Sequence, residues 1–291
     1  MNNLILTAKA NAKINLSLDI TGALPDGYHS LTTVMQSVSL HDTVTVEERK
    51  TTGIILHCDQ PGVPADERNT AFRAAALYYA AVAETPHVEI HIEKRIPSEA
   101  GLGGGSADAA AVLKALNSLH GDRLSDSRMA DVALQIGADV PFCLTGGTAL
   151  CKNKGEQMSV LPPFNSHVVL LKPASGVSTA QAYRAFDTAT ALTHPDNDRL
   201  LRCFAAGEYK TGLQYAGNLF EQLVSLPEGE QIKRAFYTGG AYYAAMSGSG
   251  AAFFGLFTSA GAAQNAARAL QGTLPFVCVC ETADRGVEFA Q

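Results

Sequence analysis

The sequence predicts a protein of mixed α and β structure, built either as two domains or as one large α/β unit. Its 291 residues exceed what one hydrophobic core usually fills. Hydrophobic residues make up 46% of the chain, and segments with the alternation of strands occur beside segments with helical periodicity. A packed core is therefore expected, and a disordered, collagen-like or coiled-coil chain is excluded.

The N-terminal half is predicted to contain strands and helices in mixed order. Alternating apolar residues predict the strands, and apolar residues at helical spacing predict the helices. The predicted elements are strands over residues 12–20, 42–48 and 54–57, a helix over 69–83, a strand over 87–93, helices over 106–119 and 126–135, and a strand over 148–152. A turn is predicted at Leu24-Pro25-Asp26-Gly27, and Gly137 is expected to end the third helix.

The character of the chain changes around Leu161-Pro162-Pro163, which predicts a boundary between domains at residues 1–160 and 161–291. Beyond it the predicted elements are a strand over residues 168–171, a helix near 179–186, amphipathic segments through 234, strands over 242–246 and 251–257, a helix over 260–271 and a strand over 276–280. The loop Ser247-Gly248-Ser249-Gly250 separates two of these strands. No internal repeat or low-complexity tract is visible in the sequence.

Charge and cysteine usage limit the classes of partner. The formal net charge of -6 offers no basic patch, so nucleic acid is not expected as a partner. No apolar stretch approaches the roughly 20 residues that cross a bilayer. Lys9 and Lys13 follow the short apolar run at the start, so we expect a cytoplasmic protein without a signal peptide. The six dispersed cysteines are expected as reduced thiols, with Cys278 and Cys280 as packing residues rather than zinc ligands.

The most informative segment is a glycine-rich loop that opens a predicted helix. Glycines at four of five positions let the backbone approach a ligand, while N–H groups of the first helical turn face it. The loop is neither a Walker A motif nor a dinucleotide fingerprint, and we interpret it as a cradle for phosphate. The alternative is a structural loop capped by Ser106, with Asp108 favouring the helix dipole. The residues predicted to bind phosphate are Pro97, Ser98, Glu99, Ala100, Gly101, Leu102, Gly103, Gly104, Gly105, Ser106 and Ala107.

This segment, PSEAGLGGGSADAA, resembles the central motif of the GHMP kinases, which phosphorylate small alcohols with ATP. ANAKINLSLDITGALPDGYHSL resembles the first motif of that family and MSGSGAAFFGLF the last, in the same order. With IGADVPFCLTGG, the resemblance is greatest to members whose alcohol carries a cytidine diphosphate group. It implies an α+β fold, with an N-terminal domain like ribosomal protein S5 domain 2, a ferredoxin-like C-terminal domain and the site between them.

The resemblance also implies two catalytic residues beside the acceptor hydroxyl. Asp139 is assigned as the general base and Lys13 as its partner, which lowers the pKa of the hydroxyl or neutralises charge. Lys13 lies within the apolar segment AKINLSL, where an ammonium group is costly unless it faces a site. The alternatives are a lysine that reaches solvent past its apolar stem and an aspartate that only forms a turn.

The resemblance also implies a second set of residues, which bind the acceptor. The ring of Tyr28 would stack on the cytosine base and His29 would read the edge of the base, although an aromatic residue after a turn often serves packing. Asn15 lies two residues after Lys13, on the same strand face, and would serve the acceptor hydroxyls or Asp139. The full set is Asn15, Tyr28, His29, Thr179, Tyr183, Gly248 and Ser249.

Mg²⁺ is expected with ATP because it neutralises the β and γ oxygens, and Ser106 is its expected ligand. Many relatives have two serines after the third glycine, whereas Ala107 follows Ser106 here. Ser106 would therefore supply any essential hydroxyl. We interpret Asp108 as a charge at the helix N-terminus rather than as a base.

The resemblance implies an ATP-dependent kinase, either a monomer or a weak homodimer, whose small-molecule substrate carries a cytidine diphosphate group. One alternative is a kinase of the same family for another alcohol, such as homoserine, mevalonate or galactose. Another is a non-catalytic sensor of the same fold that binds ATP and a sugar. Lys13, Asp139 and the intact glycine-rich loop argue against the sensor, because a sensor has no need of a base.

Overall fold

A computed structural model describes residues 4–25 and 27–290 and shows helices packed on two sheets. The strands are β1 (Ile5–Ala23), β2 (His29–Glu48), β3 (Gly53–Cys58), β4 (His87–Glu93), β5 (Thr148–Asn153), β6 (Gln157–Val160), β7 (His167–Lys172), β8 (Tyr243–Met246), β9 (Phe253–Phe257), β10 (Phe276–Glu281) and β11 (Val287–Phe289). The helices are α1 (Thr70–Val82), α2 (Gly104–Leu119), α3 (Asp126–Ile136), α4 (Val140–Thr145), α5 (Thr179–Thr188), α6 (Asn197–Ala205), α7 (Tyr209–Gly212), α8 (Phe220–Leu223), α9 (Gly229–Thr238) and α10 (Ala260–Leu270). Asp26, in the predicted turn, lies outside the described residues. Among the described helices, none has the length and apolar character needed to cross a membrane.

The first sheet has seven strands and is organised around the long hairpin of β1 and β2. Its strand order is β11-β1-β2-β4-β3, and β5 pairs with β2 and β6 with β5. Only the pair β3 and β4 is parallel, and α1 connects these two strands. The side chains of β1 are buried on both faces from Ala10 to Ile20, because helices cover one face and the C-terminal half covers part of the other. A strand buried on both faces can carry polar groups only where they are paired or face a site.

The second sheet is antiparallel, with the order β10-β7-β9-β8. Helices α9 and α10 pack on it, and their apolar residues, among them Phe236 of α9, form a core with Phe253 and Phe257 of β9. Gly255 in β9 lies directly against the Phe236 ring, at a separation that leaves no room for a β-carbon. The mixed helix and strand content predicted from periodicity is confirmed.

The segment at residues 161–163 lies between β6 of the first sheet and β7 of the second. After β10 the chain returns to the first sheet, where β11 pairs with β1 through Ala8 and Phe289. The division into domains at residues 160 and 161 stays a prediction.

Several elements differ from the predictions. The alternation detected over residues 12–20 and 42–48 belongs to two strands of 19 and 20 residues. Helix α2 begins at Gly104 rather than Ser106, because Gly103 adopts the left-handed conformation at the N-cap. Helix α4, strands β6 and β11 and the separate helices within the amphipathic segments were not predicted, since each is too short to show a period.

Candidate active site

Strand β1 and the segment before α4 bring Lys13 and Asp139 together. The Lys13 Nζ lies 3.5 Å from the Asp139 Oδ2, and the lysine side chain is only 5% exposed. Asp139 occupies the N-cap position of α4, yet its side chain accepts no capping hydrogen bond. The carboxylate therefore faces the cavity rather than the helix end, which disfavours a purely turn-forming aspartate.

A chain of hydrogen bonds fixes the Lys13 ammonium group. Its Nζ donates to the Asn15 Oδ1 at 2.8 Å, and the Asn15 Nδ2 donates to the Thr33 Oγ1 at 2.9 Å. The Thr33 hydroxyl donates in turn to the Ser17 carbonyl at 2.7 Å. Asn15 and Thr33 are buried, so the lysine is held by partners that have little freedom to move. Thr33 was missed by the sequence analysis, because a threonine within an alternating strand carries no distinct signal.

The two glycine-rich loops touch each other at Gly101. Its φ is +72°, and a β-carbon there would lie 2.0 Å from the Ser247 carbonyl oxygen, so only glycine fits. The Ser247 hydroxyl donates to the Gly101 carbonyl at 2.8 Å and accepts from the Asn15 N–H at 3.3 Å. The Ala252 N–H donates to the Ala100 carbonyl at 3.1 Å. These contacts join both loops to β1 and fix the floor of one shared site.

The loop predicted to bind phosphate, residues 97–107, packs on the stem of Lys13. Gly103, also at φ +72°, would place a β-carbon 2.9 Å from the Lys13 Cγ, and the Lys13 N–H donates to the Leu102 carbonyl at 2.9 Å. The side chains of Ala100, Leu102 and Ala107 are buried in the core, so these residues can face a ligand only through their backbone. Of the other residues of the predicted cradle, Glu99, Gly101 and Gly103 line the cavity that contains Lys13, and Ser106 lines the adjoining one. Pro97, Ser98, Gly104 and Gly105 lie at the surface or half-buried between them.

The interpretation of Asp108 as a charge at the helix N-terminus is wrong. Asp108 lies in the second turn of α2, and its Oδ2 accepts a hydrogen bond of 2.6 Å from the Lys94 Nζ. Lys94 also donates to the Asp42 carboxylate, whose other oxygen accepts from the N–H groups of Arg95 and Ile96. Lys94, Asp42 and Asp108 form a buried triad that anchors the segment leading into the first glycine-rich loop.

Burial and the neighbouring Asp42 carboxylate raise the pKa of Asp108 to about 8, against the lowering effect of Lys94. One lysine thus serves two carboxyl groups, and the ionised form of Asp108 is disfavoured relative to an exposed aspartate. The Asp108 Oδ1 is buried and has no hydrogen-bond partner among the described residues, which adds to the cost of ionising this carboxyl group.

Two adjoining cavities meet at Asp139 and Tyr183, which line both. The cavity of about 690 Å³ contains Lys13, Asn15 and parts of the two glycine-rich loops. The cavity of about 1090 Å³ is lined by three basic side chains, which suit phosphate groups: Arg73, Lys154 and Arg184. The candidate base therefore lies where a phosphate donor and an alcohol acceptor could meet.

The residues predicted to bind a cytosine base occupy the walls of these cavities. His29 stacks on Tyr183 with ring centroids 4.6 Å apart and an interplanar angle of 17°, and its Nε2 lies 2.7 Å from the Asp187 Oδ1. Burial, with the Asp139 charge, raises the pKa of Tyr183 to about 12, so its hydroxyl stays protonated at neutral pH. Tyr28 lies at the rim, 63% exposed, with the Lys154 Nζ 4.3 Å from its ring centroid.

Two residues of the C-terminal half, Thr179 and Asn218, hold the second glycine-rich loop, residues 247–250, in place. Thr179 and Ser249 share a hydrogen bond of 2.7 Å between their hydroxyls, and both line the smaller cavity with Gly248. The buried Asn218 donates from its Nδ2 to the carbonyls of Met246 and Gly248, each at 2.8 Å. Asn218 was missed by the sequence analysis, because it lies in a segment without any recognised motif.

The residues present fit a Mg²⁺ ion that accompanies a nucleotide. The Ser106 side chain and the Asp139 carboxylate line the same cavity, and Mg²⁺ prefers oxygen ligands that it shares with substrate phosphates.

Comparisons with known proteins agree with this arrangement. A family model described as GHMP kinases N terminal domain matches residues 69–147, and one described as GHMP kinases C terminal matches residues 200–275. The chain is 42% identical over 259 residues to a protein of Clostridium botulinum (strain Eklund 17B / Type B) named 4-diphosphocytidyl-2-C-methyl-D-erythritol kinase, a match that covers 87% of this chain and 91% of the relative. It is 39% identical to a protein of the same name from Clostridium tetani (strain Massachusetts / E88), covering 94% of this chain and 99% of the relative.

Comparison with solved structures also identifies kinases of similar fold. A crystal structure of 4-(cytidine 5'-diphospho)-2C-methyl-D-erythritol kinase superposes with a TM-score of 0.77 at 34% identity, covering 96% of this chain and 99% of the other. A homoserine kinase from Cytophaga hutchinsonii superposes with a TM-score of 0.78 at 21% identity, covering 98% and 97%. The second match supports the fold alone.

Proposed function

The chain belongs to the GHMP kinase family, and from this premise we propose that it transfers a phosphoryl group from ATP to the 2-hydroxyl of 4-diphosphocytidyl-2-C-methyl-D-erythritol. This reaction is a step of the non-mevalonate route to isoprenoid precursors. The observation that carries the choice of substrate is the 39 to 42% identity, over most of both chains, to relatives named for this kinase. The enzyme is an ATP-dependent phosphotransferase.

Phosphoryl transfer needs an oriented acceptor hydroxyl, neutralised charge and exclusion of water. The residues of the site can meet these needs. Asp139 accepts the proton of the 2-hydroxyl as that oxygen attacks. Lys13, 3.5 Å away and held by Asn15, stabilises the negative charge that develops on the attacking oxygen. The backbone N–H groups at the start of α2 bind the phosphates of ATP. Ser106 would hold Mg²⁺ together with phosphate oxygens, and the bound ion neutralises charge on the β- and γ-phosphates.

The acceptor is bound from both halves of the chain. Tyr28, His29 and Tyr183 offer aromatic surfaces for the cytosine ring, and the hydroxyls of Thr179 and Ser249 offer hydrogen bonds to the diphosphate or the methylerythritol. Ser247 and Asn218 fix the loop that carries Gly248 and Ser249, so the acceptor enters a cavity whose floor is already formed.

The proposal is tested by measuring ADP release with Mg-ATP and 4-diphosphocytidyl-2-C-methyl-D-erythritol, with homoserine, mevalonate and galactose in parallel. Turnover of the cytidylyl compound alone is expected, because only that acceptor can use the aromatic wall. Turnover of another alcohol would keep the kinase family and overturn the substrate. ATP binding without turnover of any acceptor would favour the sensor instead.

Replacing Tyr28 by alanine is expected to raise KM for the cytidylyl substrate roughly five- to 150-fold, since stacking of a base on an aromatic ring contributes about 1–3 kcal/mol. KM for ATP should change much less. Steady-state kinetics with each substrate varied in turn measures both constants. Tyr237→Ala is the matched control, because Tyr237 is also about half exposed but lies on α9, away from both cavities. An unchanged KM for the acceptor would show that Tyr28 does not bind it.

A further inference from the structure

A cluster of two histidines and one glutamate lies at the end of the first sheet remote from the glycine-rich loops. Glu48 ends β2, His87 begins β4, and His120 follows the last residue of α2. One potential ligand atom from each residue lies within 4.8 Å of the other two. Helix α2 begins in the phosphate loop and is 16 residues long, which separates the cluster from that loop by roughly 24 Å.

The side chain of His120 is almost fully enclosed, yet its ring has no hydrogen-bond partner among the residues that the structure describes. Its side chain is 6% exposed, and neither the Nδ1 nor the Nε2 forms a hydrogen bond. The Glu48 Oε1 lies 3.0 Å from the Nε2, but the two atoms are not aligned for a hydrogen bond. Buried polar groups without partners are rare in folded proteins, because they lose their bonds to water. A partner for this ring is therefore expected.

One ring nitrogen of His87 has the kind of backbone partner that a metal-bound histidine commonly has. Its Nδ1 lies 3.0 Å from the Thr85 carbonyl oxygen, which can only accept, so the Nδ1 carries the proton. In the neutral ring the Nε2 then keeps its lone pair. A histidine that binds a metal through one nitrogen commonly donates from the other to a backbone carbonyl, which fixes both tautomer and ring orientation.

The spacing and charge of the cluster also suit a cation. Zinc bonds of about 2.0–2.1 Å in a tetrahedral site place neighbouring ligand atoms about 3.3 Å apart, close to the 3.0 Å between Glu48 and His120. A second carboxylate, Glu84, lies 3.8 Å from the His120 Nδ1 and is shared with Arg123. The rings of Tyr78 and Tyr79 pack on His120 and keep water from its faces.

We propose that Glu48, His87 and His120 form a binding site for Zn²⁺ that fastens the C-terminal end of α2 to strands β2 and β4. Two imidazoles and one carboxylate are a ligand set suited to zinc and leave its fourth position to water. Structural zinc sites usually have four protein ligands, but this site is remote from Lys13 and Asp139, so its role is to fasten these elements whichever alcohol the kinase phosphorylates.

A second group, His57, Glu89 and His91, has the same composition on the exposed face of β3 and β4. Its Glu89 is already bonded to Arg49 at 2.6 Å and to His57 at 3.0 Å, and both histidines are about half exposed, so water can reach their ring nitrogens. These residues have partners without a metal. The exposed group therefore serves as the comparison in the test.

The test is a zinc titration of the metal-free full chain, with bound zinc measured after dialysis and the affinity measured by calorimetry. We expect one Zn²⁺ held by the proposed site and a rise in Tm when it binds. Glu48→Gln and His87→Asn should each weaken zinc binding by at least about 10–100-fold, since even the loss of an outer partner has that effect. The Glu48 side chain is 23% exposed against 6% for His120, so Glu48→Gln should fold, and circular dichroism checks the fold of both variants.

His57→Asn and His91→Asn are the matched controls and should leave this binding unchanged. Replacement of Zn²⁺ by Co²⁺ gives a second measurement, because visible absorption bands report nitrogen and oxygen ligands around cobalt and should be lost in His87→Asn. Absence of zinc binding by the wild-type chain would overturn the proposal. So would equal affinity in wild type and His87→Asn, or loss of binding in His57→Asn alone.

Discussion

Replacing Asp139 by asparagine is expected to lower kcat by about 10²–10⁴-fold while ATP still binds. The amide keeps the size and shape of the side chain but cannot accept the proton of the 2-hydroxyl. Lys13 would also lose the charge that now lies 3.5 Å from its ammonium group. ADP release gives kcat, and calorimetric titration with a non-hydrolysable ATP analogue gives the affinity for nucleotide.

Asp187→Asn is the matched control for this result. Asp187 is a carboxylate that lines the same cavity as Asp139, but it is paired with His29 at the wall. Its substitution should change KM for the acceptor and leave kcat close to the wild-type value. If Asp139→Asn lost nucleotide binding and turnover together, Asp139 would be structural. Equal losses of kcat in both variants would show that the cavity needs negative charge rather than a base.

Replacing Lys94 by methionine is expected to destabilise the protein by about 3–5 kcal/mol, because Asp42 and Asp108 would stay buried without their shared cation. The free energy of unfolding is measured by urea titration. The loop entered through Arg95 and Ile96 should also lose order, which would raise KM for ATP. Lys154→Met removes a lysine at the cavity rim and is expected to cost far less stability.

The double variant Lys94→Met with Asp108→Asn tests whether the buried carboxyl groups cause the loss of stability. It should recover part of the lost stability, and more of it at higher pH, since an amide at position 108 cannot ionise beside Asp42. If the double variant were less stable than Lys94→Met alone, the buried charges would not be the source of the loss.

Asp108→Asn alone should change how stability depends on pH. Because the pKa of Asp108 is raised from 3.8 to about 8 in the folded protein, the folded state binds an extra proton between these values. The contribution of Asp108 therefore lowers stability as pH rises from about 4 to about 8. Asparagine removes this contribution, so the variant should gain stability relative to wild type across that range.

The fold and the proximity of Lys13 and Asp139 could be predicted from the sequence because their signals lie in local motifs. The expected α+β fold of the GHMP kinases and membership of that family are confirmed. Strands such as β4 and helices such as α1 show their period over a few adjacent residues. Lys13 and Asp139 were found because each stands in a recognised motif, and the structure brings them together. Their chemical roles stay predictions.

The residues that were missed act through contacts distant in sequence. Asn218 binds a loop about 30 residues away, and Asp42 holds Lys94 from another strand. Asp108 follows a phosphate loop, where an acid at a helix N-terminus is common, so its burial beside Lys94 was not visible. His87 and His120 are 33 positions apart, and no metal-ligand spacing marks them.

The pairing of β11 with β1 bears on the order in which the protein folds. Ala8, Lys9 and Ala10 form backbone pairs with residues 287–289, and the Asn11 side chain donates to the Arg285 carbonyl and to Glu288. Contacts between residues so far apart in sequence slow folding, because a long loop must close before they form. During synthesis, the edge of β1 stays open until the ribosome has released residue 289, and an open edge invites pairing with other chains. We therefore expect the first sheet to be completed only after translation, and aggregation during expression to depend on how rapidly β11 docks.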